Sequence, residues 1–462
     1  MSTKILQFGT GVFLRGFFGS MIHDMNQTES LEASITMVKL TPNGDMQRFI
    51  DSEGRYDLII RGLENGNTVD EVKHVDLFEE FIHPYQQWSR FLESAQDADV
   101  DVVISNSTEA GIVYKECAKP SICPESYPAK LCAWLYERFT CFSGDANKAP
   151  LVLPMELIAN NGGQLKNIVM QHATDWELSK DFLSWLHDDC DFRNTLVDRI
   201  VTRGEGNAIC VEPYLLFAIE GEPAEEILPF QKTGLNVYWT QNLAAFRETK
   251  VRMLNGGHTS MIYAAILSGE TIVADALKNT EIDAFLRSVL VDEVLPTLEA
   301  KGGEYQELID YAEAVIERFK NPFLNHEMIN IALNSASKLL VRIMPTFDDL
   351  VNQNHAYPTK LTQAIAAFFW FYRGQVIEDK FHGSSEGISY EFGDDAEAMK
   401  AIAACDSSSS EAFAKSILKC SAWKGAFDKH QDFSDVLAAH FDLFEKNTLK
   451  QTLFKQNDLA NV

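Results

Sequence analysis

Residues 4–26 read KILQFGTGVFLRGFFGSMIHDMN. A short apolar strand, Ile5 to Phe8, runs into Gly9-Thr10-Gly11 and then into an amphipathic helix. A dinucleotide-binding fold needs that order. One glycine makes the tight turn, a second lets a pyrophosphate approach the backbone, and the helix N-terminus turns unpaired N–H groups toward it. Gly9 and Gly11 are the candidates for those roles. The third glycine of the usual fingerprint is missing, with Leu14 in its place, and G-x-G alone is a weak pattern. Its position after a strand and before a helix is what strengthens it.

Further strands follow at α/β spacing. SITMVKL (34–40), VDVVISNS (100–107), APLVLPMEL (149–157) and NAICVEP (207–213) are apolar runs of strand length. The second of these is almost continuously apolar, as a strand buried on both faces should be. Helical stretches lie between them, among them YPAKLCAWLYERF and GGQLKNIVMQHA. The alternation predicts a parallel, doubly wound sheet. SITMVKL ends without the carboxylate that would hold an adenosine ribose. Asp45 lies further along the loop, and Lys39 would instead tolerate a 2′-phosphate, so NAD and NADP both stay open.

From about Lys250 onward the strand signals fade. EIDAFLRSVLVDEVLPTLEA, YQELIDYAEAVIERF and TKLTQAIAAFFWFYRG carry apolar residues at three-to-four spacing. Gly269, Gly302 and Gly374 stand where helix C-termini favour them. The fold class is therefore α/β, with a Rossmann-type doubly wound N-terminal domain (1–240) and a mostly α-helical C-terminal domain (241–462). Active sites favour such domain junctions.

Composition narrows the function. The formal charge of −27 excludes a phosphate-binding nucleic-acid surface, which needs clustered Lys and Arg. The densest apolar run, AIAAFFWFY (364–372), is about half the ~20 residues a membrane span needs. The eight cysteines include no C-x-x-C pair, and zinc-ligand spacing is absent. Reduced thiols in a cytoplasmic protein are expected, with no metal, and oligomeric state is not legible.

Just past the domain boundary stands KVRMLNGGHTSMIYAAIL (250–267). At about 100° per residue, Lys250, Asn255 and His258 fall within about 140° of helical arc, so one mouth can hold all three. Gly256 and Gly257 are expected to let a ligand approach the backbone. A developing alkoxide needs a proton and stabilising donors. A lysine supplies the proton if desolvation brings its pKa from ~10.4 toward ~7–8. Asn255 can donate to the oxyanion and His258 can orient a neighbouring hydroxyl. The spacing alone equally fits a solvated lysine, a helix-capping asparagine and a core-edge histidine.

K-x4-N-x2-H at Lys250, Asn255 and His258 resembles the signature of the polyol-specific long-chain dehydrogenases, the mannitol dehydrogenase family. QFGTGVFLRGF resembles the family's G-x-G-x-F-x-R opening, SNSTEAGI its T-E-x-G segment, and LVDRIVT and VEPYLLFAIEG its D-R-I and E-P segments. The resemblance implies zinc-independent hydride transfer with Lys250 as acid/base. It adds Phe13, Arg15 and Glu109 to the cofactor-binding candidates, with NAD the expected cofactor and NADP not excluded.

FKNPFLNHEMINIALNSASKLLVRIMP resembles the family's substrate segment. Together with LPMELIANNGGQLKNIV, it points to a branch that interconverts a keto-uronate and its aldonate. Two departures alter the pocket. Met155-Glu156-Leu157 lacks the asparagine of the polyol enzymes, leaving Asn161 as a substitute oxyanion donor, and Asn330 replaces an arginine while Lys338 is kept. A sugar-acid carboxylate wants a cation, and Lys338 or Arg342 can provide one; a structural salt bridge is the alternative for Arg342. His326 either contacts a sugar hydroxyl or caps a helix. A fructuronate reductase or mannitol-type polyol dehydrogenase, and a non-catalytic dinucleotide-binding sensor, are the rival readings.

Overall fold

The computed structural model describes residues 2–44, 46–107, 111–385, 387–430, 432–446 and 452. Two compact units divide the chain. The first comprises Met1–Gly62 and Thr68–Phe246, the second Leu63–Asn67 and Arg247–Val462. The sequence places the boundary near 240.

The first unit contains β1 (Ser2–Phe8), β2 (Glu32–Val38), β3 (Tyr56–Glu64), β4 (Asn67–Val75), β5 (Phe78–Ile82), β6 (Val100–Ser105), β7 (Leu151–Pro154) and β8 (Asp191–Phe192). Six of them form one sheet in the order β5-β2-β1-β6-β7-β8, every pairing parallel. With the β3–β4 hairpin set aside as an insertion, this is the 3-2-1-4-5-6 order of the doubly wound dinucleotide fold. The strands are apolar on both faces because helices cover both: Ile5, Leu6 and Phe8 are fully buried, as are Val102, Val103 and Ile104. The order of connections reverses between β1 and β6, and the crevice at their carboxyl ends is where such sheets bind ligands.

Two smaller sheets complete this unit. β9 (Thr195–Asp198), β10 (Val201–Arg203), β11 (Ile209–Val211), β12 (Leu216–Glu220) and β13 (Val237–Thr240) pair as β10-β11-β3-β4 and β13-β12-β9. NAICVEP is thus a strand, but of the second sheet rather than the parallel one. The segments 196–202 and 211–213 are held together by Arg199 and Glu212. Arg199 Nε donates to the Glu212 carbonyl at 3.0 Å, and Ile200 N donates to Glu212 Oε1 at 2.6 Å. Arg199 Nη1 also reaches the Gly16 carbonyl at 2.9 Å, at the C-terminus of the helix Val12–Gly16, where a cation suits the helix dipole.

The second unit is mostly helical, around one large core that includes the fully buried Ile365, Phe369 and Phe371 of the helix Thr359–Phe371. A strand signal was missed here. β14 (Gly374–Ile377), β15 (Lys380–Ser385) and β16 (Ile388–Phe392) form an antiparallel meander. Gly374 accordingly starts a strand instead of closing a helix: a Cβ there would lie 2.1 Å from the His382 carbonyl oxygen. Gly269 and Gly302 do follow helices, with φ of 92° and 96°. All eight cysteines are free thiols, and among the described residues no helix is long and apolar enough to cross a membrane.

The start of the helix Thr359–Phe371 lacks a local side-chain cap. Glu293 supplies one from elsewhere in the chain, accepting from Lys360 N and Leu361 N, both at 2.7 Å. Burial raises this carboxyl to about 7. The folded state therefore holds a proton between about pH 4.5 and 7 that an unfolded glutamate has lost. This contribution to stability is complete below about 4.5 and fades as pH rises through 7. Glu293→Gln should lack that downward slope, so its stability relative to the parent protein should rise from pH 5 to pH 7, as read by urea unfolding at pH 5, 6 and 7. An unchanged slope contradicts the assignment.

Candidate active site

In the first unit, Gly9 and Gly11 follow β1 at the switch point. Gly9 has φ of 125°, which only glycine adopts readily, and a Cβ on it would lie 3.1 Å from the Asn106 carbonyl oxygen beyond β6. A Cβ on Gly11 would meet nothing within 4 Å. One glycine makes the turn and the other leaves the backbone open, which fits a pyrophosphate at this edge. Phe13 stacks on Phe17 with centroids 5.0 Å apart. Arg15 is buried, its guanidinium 5.0 Å from the Phe49 ring and 5.6 Å from that of Tyr56. Burial pulls its pKa down to about 10. Lys39 is buried just after β2. Glu109 and Asp45 lie outside the described residues.

Asn161 is not available to an oxyanion. Its Nδ2 faces the Pro154, Glu156 and Thr195 carbonyls at 2.9, 3.1 and 3.2 Å and Thr195 Oγ1 at 3.2 Å. Its Oδ1 accepts from Gly162 N and Thr195 N, both at 2.9 Å. Every hydrogen-bonding position of the amide is used to tie β7 to β9. The expectation that it replaces the missing asparagine is corrected on that ground. Leu157, which stands where the polyol enzymes carry that asparagine, is exposed, while Glu156 is buried. Glu156 accepts from Ser105 Oγ at 3.0 Å, Ser107 N at 2.8 Å and Ser107 Oγ at 2.9 Å, and burial raises its pKa.

In the second unit, Lys250–Asn255 forms a π-helix that continues into the α-helix Gly256–Leu267. Gly256 N donates to the Val251 carbonyl five residues back. The wider turn brings residue 250 nearer to register with 255 than α-helical spacing does. Asn255 is not a capping residue: it has helical φ and ψ, and its side chain makes no cap hydrogen bond. Lys250 is half-buried. His258 lies flat on Phe319, centroids 3.6 Å apart and planes 6° apart. His258 Nε2 is enclosed without a hydrogen-bond partner among the described residues. Burial pushes the His258 pKa well below the ordinary imidazole value, and His326, Arg318, Arg342 and Lys338 push it further, so the ring is neutral at pH 7.

The two glycines serve packing, which corrects the expectation of ligand approach. Both are buried, and each admits another π-helical segment. A Cβ on Gly256 would lie 3.1 Å from the Arg342 carbonyl oxygen, in the segment Leu339–Ile343. One on Gly257 would lie 3.2 Å from Leu290 Cδ2, in the segment Val289–Val294.

Arg342 is therefore next to the motif through its backbone and its side chain. Its Nη1 approaches Thr259 Oγ1 at 3.4 Å, and Thr259 Oγ1 donates to the Asn255 carbonyl at 2.9 Å. Arg342 is half-buried, burial lowers its pKa, and among the described residues no carboxylate pairs with it, so the salt bridge held open for it is not found there. Lys338 Nζ donates to the Ile331 carbonyl at 2.7 Å and to the Leu333 carbonyl, which leaves one N–H. Burial, and then the Arg342 charge, lower its pKa. Thr259, the link between cation and motif, had no signal in the sequence.

Residues 3–229 match the mannitol dehydrogenase Rossmann domain, and residues 242–421 match the mannitol dehydrogenase C-terminal domain. The chain belongs to the mannitol dehydrogenase family and is an oxidoreductase acting on CH–OH groups. It is similar to the altronate oxidoreductase of Halalkalibacterium halodurans, 36% identical over 418 residues that span 86% of this chain and 81% of that protein. The Bacillus subtilis altronate oxidoreductase is also 36% identical, with 81% of each chain covered. A D-sorbitol dehydrogenase in substrate-free form shares the fold with a TM-score of 0.79 at 20% identity, covering 98% of this chain and 97% of that one. Pseudomonas fluorescens mannitol 2-dehydrogenase, in a ternary complex with NAD and D-mannitol, does so with a TM-score of 0.63 at 19% identity, covering 98% and 94%.

Asn161→Ala should lower stability by about 1–3 kcal/mol, because it leaves buried carbonyl and N–H groups unpaired. In a domain of this size that is roughly a 2–12 °C fall in Tm. The kcat of the folded enzyme should stay within about twofold of the parent's. A large fall in kcat at unchanged Tm would return Asn161 to the chemistry.

Proposed function

We propose that the protein is an NAD-dependent reductase of a keto-uronate, tagaturonate to altronate, working in sugar-acid catabolism. The observation that carries this reading is the half-buried Arg342, which has no carboxylate partner among the described residues and is hydrogen-bonded to Thr259 beside the K-x4-N-x2-H motif. Leaving a cation in that state is costly unless a ligand anion completes it. A guanidinium fork matches a carboxylate in shape and charge, and Lys338 keeps one N–H for the same anion. The altronate oxidoreductase relatives act, by their names, on a sugar acid, which supports the same class.

In this reading Gly9 and Gly11, with Phe13, Arg15 and Glu109, would hold the dinucleotide, which when bound would supply hydride for reduction of the ketone. Lys250 delivers the proton to the developing alkoxide, Asn255 donates a hydrogen bond to that oxygen, and neutral His258 orients the adjoining hydroxyl. Arg342 and Lys338 hold the carboxylate and so fix the end of the chain relative to Lys250. Because Lys39 rather than an acid follows β2, NADPH is assayed beside NADH.

Lys250→Ala should lower turnover by at least about 10²-fold, the lower end of what a positioned acid contributes, and leave NADH binding by fluorescence unchanged. Arg342→Gln should lower kcat/KM for the keto-uronate by roughly 10- to 150-fold, about 1.5–3 kcal/mol for a charged hydrogen bond, and spare any activity on fructose. Ordinary turnover in the first variant, or equal losses on both substrates in the second, overturns the assignment.

A further inference from the structure

The helical unit holds a second imidazole that the scheme above leaves without a task. The His326 ring stands edge-on to His258, centroids 5.3 Å apart and planes at 89°. His258 thus has Phe319 flat against it and His326 perpendicular to it. The His326 backbone is pinned. Its carbonyl accepts from Val273 N at 3.0 Å, Glu327 bridges to Ile272, and Met328 N donates to the Thr271 carbonyl at 2.9 Å. Its ring is half-buried and caps no helix: the following helix, Met328–Ile331, has Glu327 at its N-cap position and no side-chain cap. Among the described residues neither ring nitrogen makes a hydrogen bond.

Burial lowers the His326 pKa, so the ring is neutral at pH 7. A neutral imidazole offers one N–H and one lone pair. Either nitrogen can meet an alcohol, which both donates and accepts, whereas only the N–H can meet a carboxylate, which only accepts. The cations Arg342 and Lys338 already answer the carboxylate. The remaining polar groups of a sugar acid are the hydroxyls between its carboxylate and its ketone.

We propose that His326 is a substrate-contacting residue, hydrogen-bonding one hydroxyl of the sugar chain beside His258 and selecting its configuration. This rests on the sugar-substrate reading but not on the carboxylate. A site built to hydrogen-bond a sugar hydroxyl disfavours the epimer that leaves its polar group unpaired.

The test uses the full-length enzyme saturated with NADH and two keto-uronates that differ at one hydroxyl-bearing carbon, tagaturonate and fructuronate. In His326→Leu, KM for the preferred epimer should rise about tenfold or more, with kcat within a few-fold. The ratio of kcat/KM between the epimers should fall at least fivefold, and NADH affinity should be unchanged. His326→Gln, which keeps a donor and an acceptor, should recover part of the ratio. A lowered Tm with an intact epimer ratio overturns the proposal and makes His326 structural. If the parent enzyme reduces only uncharged ketoses, the keto-uronate reading fails, and the same variants are measured on fructose and tagatose. There a preserved epimer ratio overturns the His326 assignment, and a collapsed ratio supports it. No turnover of any of the four sugars overturns both.

Discussion

The absent side chain of Gly256 is the constraint on which the site depends. The Arg342 carbonyl oxygen sits 3.1 Å from where a Cβ would be. That closeness joins two distant stretches of sequence, the motif at 250–258 and the segment 339–343, and places a guanidinium where it reaches Thr259. A methyl group there would make the backbone at Arg342 give by a few tenths of an ångström. Both joined segments are π-helical, a geometry that recurs at functional sites because the wider turn re-aims side chains that an α-helix would stack elsewhere.

A formal charge of −27 makes the chain as a whole a poor receptor for an anion. The distances resolve the puzzle. At physiological ionic strength charges are screened over about 8 Å, so the acidic surface acts weakly at a half-buried site. Under the proposed reading a ligand carboxylate would meet Arg342 and Lys338, whose pKa values burial lowers; for Lys338 repulsion by the Arg342 charge lowers it further and Asp394 partly offsets this. A bound anion relieves that repulsion. Neutral His258 belongs to the same balance, since burial first and these cations next disfavour a proton on its ring, while burial alone lowers the pKa of His326.

Much of the fold was legible because it rests on local rules. The glycine pair after β1 and the apolar runs of β6 and β7 report strands buried on both faces. The parallel sheet follows from them. What the sequence reading missed was non-local or masked by composition. The β3–β4 hairpin turns at Asn65-Gly66, both at positive φ, but β4 is largely exposed and polar and so carries little strand signal. The meander β14–β16 lies in a stretch rich in Gly, Ser and acids, where strand propensity is weak.

Within the site, residue type was readable and environment was not. Asn161 has the chemistry of an oxyanion donor, yet β7 and β9 use all of it. Gly256 and Gly257 have the freedom to admit a ligand, and the protein's own helices take the space. In the sequence Arg342 fits a structural salt bridge at least as well as a clamp, and among the described residues no carboxylate pairs with it. Period and spacing cannot separate such cases, because each is decided by residues far away in sequence.

The central claim is that the half-buried positive charge at Arg342 and Lys338 selects a carboxylate. The most direct measurement is the wild-type kcat/KM for tagaturonate against fructose, by NADH oxidation at one pH and ionic strength. The account predicts a preference for the charged substrate of at least about 100-fold, near 2.7 kcal/mol. A ratio near one, or a preference for fructose, would contradict it.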